Sequence, residues 1–439
     1  MPALVRSRRA RSSVHPGVCS RLGRSLCMVL VAGLVASAWA EPRQAPPPDA
    51  VLFKPGALDF EPTSGKVLGV YVANWEPPGR VAALPAGSLT HVLYAFLRAC
   101  GPGQLPKDAP KCEGRAEHAL GWGAVDARFD AAFAALKARA PQVKVLASVG
   151  GWGGSDPFFH FANEAPRRAV FVASALQFLR EHPAFDGIDI DWEHPGGNGS
   201  ANGVALGSPA DGQGFADLMQ DLRAGLDRLT AETGRLYQLT VAVNPIQQIT
   251  RRIDYRRAAP ALDLVFMMSY DYHGGWSERV GHHSALRGSA PDSDDSLAQS
   301  VQNLVAAGVP GSKLVAGVAM YGRGFSGVRQ PRHGAGKSGA FPGGDGAMGW
   351  AALSARYFDS RGRPRHGYQV LFDEGTQAYA LYQPRLGLWM GYDDPRAVLA
   401  KGRFVREQGL AGLFAWEWSQ DNGALLNAMN RGLGHPVLP

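Results

Sequence analysis

The feature that most constrains this chain is a nine-residue run, Phe185–Glu193, in which acidic and apolar side chains alternate. Because alternate side chains of a β-strand share one face, Asp189, Asp191 and Glu193 are predicted to project together. Three carboxylates on one face repel one another, so a solvated edge or a metal site is one interpretation. The apolar residues between them, with the glycines that flank the run, favour a central or barrel strand whose acidic face lines a cavity.

The position of Glu193 within the run suggests a chemical role. It comes last, at the C-terminal end of the predicted strand, and in a parallel barrel active sites are built at that end. Neighbouring carboxylates and partial burial raise the pKa of a carboxyl group, so that it holds a proton near neutral pH. Glu193 is therefore our candidate for a general acid.

Residues 1–40 are typical of a signal peptide rather than of the folded domain. Six arginines accompany an uncharged apolar stretch, Met28–Trp39, and Ala38–Ala40 has the small-x-small form of a cleavage site. We therefore expect a secreted or periplasmic protein, with an uncleaved anchor as the alternative. Residues 41–65 are rich in proline and are predicted to be a tail or linker.

The charge of the chain predicts neither nucleic acid nor a membrane as a partner. The net charge is +7, but the six leader arginines with no leader acids leave only +1 for the remaining residues. Beyond the leader, no apolar run is long enough to span a bilayer.

Two of the four cysteines, Cys100 and Cys112, lie beyond the leader and flank a loop rich in glycine and proline. In an exported protein, cysteines this close suggest a loop disulfide, and two free thiols are the alternative. Zinc is disfavoured because His118 is the one further ligand nearby.

Eight β-type runs alternate with helical stretches from Val67 onward, which favours an α/β TIM (β/α)8 barrel over a doubly wound sheet. The predicted strands are Val67–Asn74, Thr90–Leu97, Val143–Val149, Gly187–Glu193, Leu239–Asn244, Leu262–Tyr270, Leu314–Tyr321 and Gly412–Trp416. The predicted helices include Phe129–Arg139, Ala165–Glu181 and Gly214–Leu229. The long connection after strand seven predicts a small α+β insertion domain at about 325–392, forming one wall of a cleft. The whole catalytic barrel is expected to span residues 66–435.

Five segments, in order along the chain, carry polar, aromatic or glycine residues at the predicted strand ends. The fourth strand holds the signature D-x-x-D-x-D-x-E, complete in Asp186, Asp189, Asp191 and Glu193. The other segments are Ser148–Trp152 on strand three, Met268–Asp271 on strand six, Tyr321–Arg323 on strand seven and Trp416 on strand eight. Together they resemble glycoside hydrolase family 18, the chitinases, over roughly residues 66–432.

The resemblance implies a secreted chitinase that cleaves β-1,4 N-acetylglucosamine linkages with retention, using the substrate's own N-acetyl oxygen as nucleophile. By that resemblance Glu193 would be the acid and then the base, and Asp191 would orient the acetamide N–H. Asp189 would share a proton with Asp191, and Tyr270 would hydrogen-bond the acetamide oxygen. No cofactor or metal is implied, and a monomer is expected. An endo-β-N-acetylglucosaminidase and a non-catalytic chitin-binding lectin of the same fold are the alternatives.

Aromatic residues are expected to line the cleft, because sugar rings stack on flat π-surfaces. Trp416 is predicted to be the floor, with Trp152 and Trp276 at neighbouring subsites; ordinary core packing is the alternative for any tryptophan. The further candidates for substrate contact are Gly151, Met268, Asp271, Tyr71, Phe96, Tyr321, Arg323 and His194.

Three features leave open questions. His194 stands where the resembled family usually has Tyr or Phe, and Asn244 stands where small residues are more usual, so a contact from Asn244 to the acetamide pocket is in doubt. His273, His282 and His283 follow strand six and could bind a metal. Because the resembled family needs none, we favour a surface loop.

Overall fold

The computed structural model describes residues 42–46, 50–290 and 293–439. The predicted leader, residues 1–40, lies outside the described residues. No helix in the described part of the chain combines the length and the apolar character that a membrane crossing requires.

Eight parallel strands close into a barrel, because each pairs with the next and the eighth pairs with the first. This confirms the predicted (β/α)8 fold. The strands are Val67–Ala73, His91–Ala99, Lys144–Gly150, Gly187–Asp191, Gln238–Val243, Leu264–Met267, Leu314–Ala319 and Gly412–Trp416. On the fourth strand Ile188 and Ile190 are fully buried against the surrounding helices, so its acidic residues face the barrel interior.

Helices cover the outside of the barrel, and several of them are amphipathic. Asp211–Thr233, for example, buries Leu218, Leu222, Leu226 and Leu229, which recur every three or four residues and form one apolar stripe. The α-helices are Gly79–Ala82, Ala109–Cys112, Ala124–Arg139, Phe158–Phe161, Ala165–Glu181, Asp211–Thr233, Gln247–Thr250, Tyr255–Ala258, Leu297–Ala307, Trp350–Tyr357, Pro395–Glu407 and Ala424–Leu433.

An antiparallel sheet lies between the seventh and eighth barrel strands and constitutes the insertion domain. It begins at Tyr321, earlier than the predicted 325, since Tyr321–Ser326 pairs with Leu388–Tyr392 and no longer with the barrel. Tyr321 was therefore wrongly assigned to barrel strand seven, which ends at Ala319. The strands of this sheet are Tyr321–Ser326, Gly339–Phe341, Ala347–Gly349, Gln369–Asp373, Ala378–Gln383 and Leu388–Tyr392, with Arg43–Gln44 at one edge.

The described part of the predicted tail is packed rather than free. Arg43–Gln44 pairs with Gln369–Asp373, while Phe53 and Phe60 are buried. Phe53 lies 5.9 Å from the ring of Trp350. Proline content favoured a linker, but each buried phenylalanine contributes about 1.5–3 kcal/mol, which is enough to hold a short segment in place.

Five barrel strands, the first and the fourth to the seventh, end earlier than predicted. The fourth ends at Asp191, and the sixth spans Leu264–Met267. After the sixth strand the backbone turns at once, since Ser269 N donates to the carbonyl of Met267 at 2.7 Å and Asp271 adopts a φ of +59°. The sequence motifs therefore lie mainly in the connections that leave the strands, where side chains can reach into a cleft.

A buried ion pair joins the end of the insertion to the barrel. Lys401 Nζ donates to both carboxylate oxygens of Asp393 at 2.8 Å, and both side chains are about 1% exposed. Asp393 also accepts from Ser284 Oγ and from the backbone N–H of Ala319, each at 2.9 Å. The carboxylate thus ties helix Pro395–Glu407 to the seventh strand and to the connection after the sixth.

Replacing Lys401 by Met is expected to lower the free energy of unfolding by about 3–5 kcal/mol, because the charge of Asp393 would stay buried without its partner. Urea unfolding followed by tryptophan fluorescence measures this. Lys54→Met, at an exposed lysine, is the control and should change the value by less than about 0.5 kcal/mol. Adding Asp393→Asn to Lys401→Met should restore part of the loss. If the single variant is as stable as the wild type, the pair is not an anchor.

Candidate active site

A cleft of about 1480 Å³ opens at the C-terminal end of the barrel. This exceeds the roughly 300–1,000 Å³ of pockets that hold one small molecule, so the cleft suits an elongated ligand. Most of the residues predicted for the site line it. Those lining residues are Tyr71, Phe96, Trp152, Asp191, Glu193, His194, Met268, Tyr270, Asp271, Trp276, Tyr321, Arg323 and Trp416.

Two predicted residues lie behind the cleft surface instead. Asp189 is fully buried beneath Asp191 in the barrel interior. Gly151 lies under Phe96: a Cβ at this position, where φ is +81°, would come within 2.6 Å of the phenylalanine ring. Gly151 therefore allows the ring to reach the cleft, and it has a packing role rather than a direct contact.

Asp189 is held by three hydroxyl groups from other strands. Tyr71 Oη and Ser148 Oγ donate to its Oδ2 at 2.9 and 2.7 Å, and Thr240 Oγ1 donates to its Oδ1 at 2.6 Å. Burial raises the pKa of Asp189, and these three donors oppose the rise. The carboxyl group thereby has a full set of partners within the barrel.

Asp191 lacks such partners. Its Oδ1 is buried with no hydrogen bond among the described residues. Burial, followed by the neighbouring Glu193 and Asp189, raises the pKa of Asp191 well above its usual range. A buried, unpaired acceptor is costly, so this oxygen is suited to receive a hydrogen bond from a ligand.

Glu193 stands where it can deliver a proton into the cleft. Burial, and then the negative charge of Asp271, raise the pKa of Glu193 to about 8, although the backbone N–H of Trp152 opposes the shift. Ser155 Oγ accepts from the backbone N–H of Glu193 at 3.0 Å and donates to the carbonyl of Asp191, which fixes this turn. At neutral pH Glu193 therefore carries a proton, as a general acid must.

Asp271, in contrast to Glu193, is ionised. Arg323 holds it in a two-pronged ion pair, Nε to Oδ1 and Nη2 to Oδ2, each at 2.8 Å. Although burial opposes the shift, Arg323 and His283 lower the pKa of Asp271 far below its usual range. Arg323 also donates to Asp345 at 2.6 Å. Since Arg323 is on the insertion sheet, it links that domain to the connection after strand six.

Aromatic rings form the floor of the cleft. Trp416, at the end of the eighth strand, stacks on Phe96 with centroids 5.6 Å apart and planes at 24°. The ring of Tyr71 meets Trp416 edge-on at 5.2 Å, and Trp75 lies 6.1 Å away. Burial raises the pKa of Tyr270 as well, so its hydroxyl stays neutral and can donate.

The exposed tryptophans mark the rim. Trp75, Trp152 and Trp276 are 58–60% exposed, and all three line the cleft. Large aromatic surface is normally buried, so its exposure around one cleft indicates ligand contact. Trp75 was not among the predicted site residues, although its position shortly after strand one was an available signal. Other lining residues that the sequence analysis missed include Asn74, Arg98, Asp108, Lys111, Arg252, Asp345 and Gln420.

The structure also shows the surroundings of the residues whose roles the sequence did not settle. His194 Nε2 lies 3.8 Å from Glu193 Oε2, and burial with the nearby Arg252 lowers the pKa of His194 to about 4, so the ring is neutral. Asn244 lines the cleft while accepting from the backbone N–H of Ile246. His282 and His283 are buried, which differs from the expected surface loop.

Cys100 and Cys112 form a disulfide with an S–S distance of 2.02 Å.

The chain is similar to known glycosyl hydrolases. A family model for glycosyl hydrolases family 18 matches residues 67–421. Chitinase A from Pseudoalteromonas piscicida is 36% identical, over 85% of this chain and 53% of its own length. The chain thus spans about half the length of that relative.

Solved structures give the same result. Chitinase ChiA74 from Bacillus thuringiensis superposes with a TM-score of 0.74 at 26% identity, over 85% of this chain and 70% of that one. A family 18 N-acetylglucosaminidase from Paenibacillus barengoltzii has a TM-score of 0.69 at 29% identity, over 84% of this chain and 99% of that one.

The charge arrangement makes a prediction about titration. Carbon-13 NMR of the carboxyl groups should show Glu193 titrating near pH 8 in the ligand-free protein, assigned by its loss in Glu193→Gln. Asp271→Asn removes a negative charge, makes ionisation of Glu193 easier and so lowers its pKa.

Asp345→Asn is the matched control, because Asp345 also pairs with Arg323 but does not raise the pKa of Glu193. It should leave the titration of Glu193 in place. A Glu193 titration near the ordinary value for glutamate in the wild type would contradict the burial argument.

Proposed function

The chain belongs to glycosyl hydrolases family 18, and from that premise we propose that it is a chitinase acting on chitin and chitooligosaccharides. The supporting observation is the pair formed by a protonated Glu193 and a buried Asp191 whose Oδ1 lacks a partner. An acid for the leaving oxygen and an acceptor for an N–H are the two groups that cleavage beside an N-acetyl group requires. The named activity of the similar proteins agrees with this assignment.

The reaction is proposed to use the substrate's own N-acetyl oxygen as nucleophile. A carboxylate nucleophile would need to be free and ionised, but Asp271 is bound by Arg323 and Asp189 by three hydroxyls. Asp191 is not such a nucleophile either, because burial and the neighbouring carboxyl groups raise its pKa well above its usual range and favour its protonated form. Glu193 holds the proton for the leaving group. This family is a known exception to the scheme with a carboxylate nucleophile, and the geometry supports that exception here.

In the first step, Glu193 donates its proton to the glycosidic oxygen as the bond to the anomeric carbon breaks. The acetamide oxygen attacks the same carbon, while Asp191 accepts the acetamide N–H and favours the positive charge that develops on the ring so formed. The neutral hydroxyl of Tyr270 donates to the acetamide group and orients it. Glu193, now ionised, then takes a proton from a water molecule whose oxygen attacks the anomeric carbon. The bond from that carbon to the acetamide oxygen breaks, and the original anomeric configuration is restored.

Sugar rings on both sides of the cleaved bond are proposed to stack on the cleft tryptophans. Trp416 lies beneath the reacting unit, and the rim residues Trp75, Trp152 and Trp276 contact further units. The presence of Glu193, Asp191 and Tyr270 argues against a non-catalytic lectin. Two rivals remain, an endo-β-N-acetylglucosaminidase and an enzyme that releases single N-acetylglucosamine units. Failure to cleave chitooligosaccharides would favour the first, and the lengths of the products distinguish the second.

Export is part of the proposal. The leader-like residues 1–40 motivate it, and the Cys100–Cys112 disulfide supports it, since such bonds persist in oxidising compartments. We propose that the protein acts outside the cytoplasm as a monomer and needs no cofactor.

A time course on chitohexaose tests the proposed reaction. Chromatography that resolves chain length and anomer should show dimers, trimers and tetramers early, with the new reducing ends in the β-configuration. An early α-anomer would overturn the substrate-assisted mechanism. Single units as the first product would favour the N-acetylglucosaminidase activity.

Glu193→Gln is expected to lower kcat on chitohexaose by a factor of about 10²–10⁴, because the amide cannot supply a proton. Binding, measured by calorimetry, should be kept since the side chain has the same shape. Glu232→Gln, at an exposed glutamate outside the cleft, is the control. Turnover near the wild-type rate in Glu193→Gln would remove this residue from its role.

Trp75→Ala is expected to raise KM for chitohexaose by about 2- to 12-fold, corresponding to the 0.5–1.5 kcal/mol of one aromatic contact. Chitotriose should be affected less, because it need not reach the rim. Leu236→Ala removes an exposed apolar side chain that does not line the cleft, and it should leave KM unchanged for both substrates. Equal effects on short and long substrates would place Trp75 at the reacting unit.

A further inference from the structure

Three potential metal ligands converge from separate parts of the chain, and none of them lines the cleft. His273 lies in the connection after strand six, Asp295 lies just before helix Leu297–Ala307, and His333 lies in the insertion. Their ligand atoms are all within 4.8 Å of one another. Asp295 Oδ2 is 3.4 Å from His273 Nε2 and 3.9 Å from His333 Nε2.

These separations fit a tetrahedral zinc site. Zinc binds histidine nitrogen and carboxylate oxygen at about 2.0–2.2 Å, which places neighbouring ligand atoms roughly 3.4 Å apart. Two imidazoles with one carboxylate also suit zinc better than calcium or magnesium, which prefer oxygen ligands alone. An adjustment of about half an ångström would bring His333 Nε2 to the same distance from Asp295 Oδ2. The two imidazole nitrogens lie within 4.8 Å of each other, and side-chain rotation would close that gap on an ion.

The surroundings hold the ligands in position. Ser289 donates to Asp295 from its backbone N–H at 3.0 Å, and the hydroxyls of Ser289 and Ser293 also donate to that carboxylate. The ring of His273 lies directly over Gly281, where a Cβ would come within 2.3 Å of it. Any side chain larger than glycine at this position would therefore displace the ring.

Backbone hydrogen bonds join the two loops that carry the histidines. Gly334 N donates to the carbonyl of Val280 at 2.8 Å, and Val280 N donates to the carbonyl of Ala335 at 3.0 Å. Arg279 Nη1 donates to the carbonyl of Gly334 at 2.7 Å. His333 is thus fixed opposite His273 before any ion arrives.

The charge of Asp295 is a second, independent observation. Its carboxylate is only 14% exposed, yet among the described residues its ion pairs are with His273 and His333, and no lysine or arginine lies within 4 Å. A cation bound between the two rings would compensate this carboxylate.

We propose that His273, Asp295 and His333 bind a zinc ion, with water completing the tetrahedron. The ion joins the connection after strand six to the insertion. Because His273 is three residues before Trp276, the site stiffens the loop that carries one rim tryptophan. The role is structural and separate from the chemistry at Glu193, so it stands or fails independently of the proposed reaction.

Calorimetric titration of zinc chloride into untagged protein stripped with a chelator tests this. One zinc per chain is expected, confirmed by elemental analysis after dialysis, with calcium chloride giving no binding. Zinc at a hundred times its dissociation constant should raise Tm by about 3 °C.

His333→Ala and Asp295→Asn should each weaken zinc binding by a factor of about 10 to 100 or more and abolish the Tm shift. His366→Asn, at an exposed histidine also on the insertion, is the matched control and should bind like the wild type. Wild-type protein that takes up no stoichiometric zinc, or variants that bind it as tightly as the wild type, would rule the site out. Circular dichroism confirms that each variant is folded before titration.

Discussion

The burial of several carboxyl groups on one strand is the constraint on which the rest of this molecule depends. A carboxylate taken from water needs donors, and a single strand cannot supply them. The barrel does so because it surrounds the fourth strand: Tyr71 reaches Asp189 from the first strand, Ser148 from the third and Thr240 from the fifth. The closed sheet therefore positions the acidic residues and also supplies the hydrogen-bond donors that replace water around Asp189. An open sheet would leave one side of that strand without such donors.

The insertion domain does more than deepen the cleft. Its strand Tyr321–Ser326 carries Arg323, which keeps Asp271 ionised on the barrel side. The charge of Asp271 in turn helps Glu193 to keep its proton. A residue of the insertion thus acts on the proposed acid through one intermediate carboxylate. The buried Lys401–Asp393 pair fixes the returning chain, so the position of Arg323 relative to the barrel is held at both ends of the insertion.

Local periodicity explains what the sequence predicted. Alternation with a period of two fixes the face on which Asp189, Asp191 and Glu193 lie, and strand-to-helix alternation fixes the barrel. The features that local periodicity could not predict depend on pairing between residues far apart in the sequence. Tyr321 follows an apolar strand without any turn signal, yet it belongs to another sheet because its partners are Gly349 and its neighbours, almost thirty residues away. Likewise Phe53 is anchored by distant aromatic residues, and Asp295 and His333 meet only in the folded chain.

Burial alone does not decide the protonation of the carboxyl groups in the site. The donors decide. Asp271 receives a guanidinium and stays ionised; Asp189 receives three neutral hydroxyls, which only moderate the effect of burial. Glu193 receives a single backbone N–H and keeps its proton, and Asp191 Oδ1 receives nothing. In the proposed reaction, the acetamide N–H of the substrate supplies the donor that Asp191 lacks. Substrate binding would then stabilise the ionised form of Asp191, at the moment when a positive charge forms beside it.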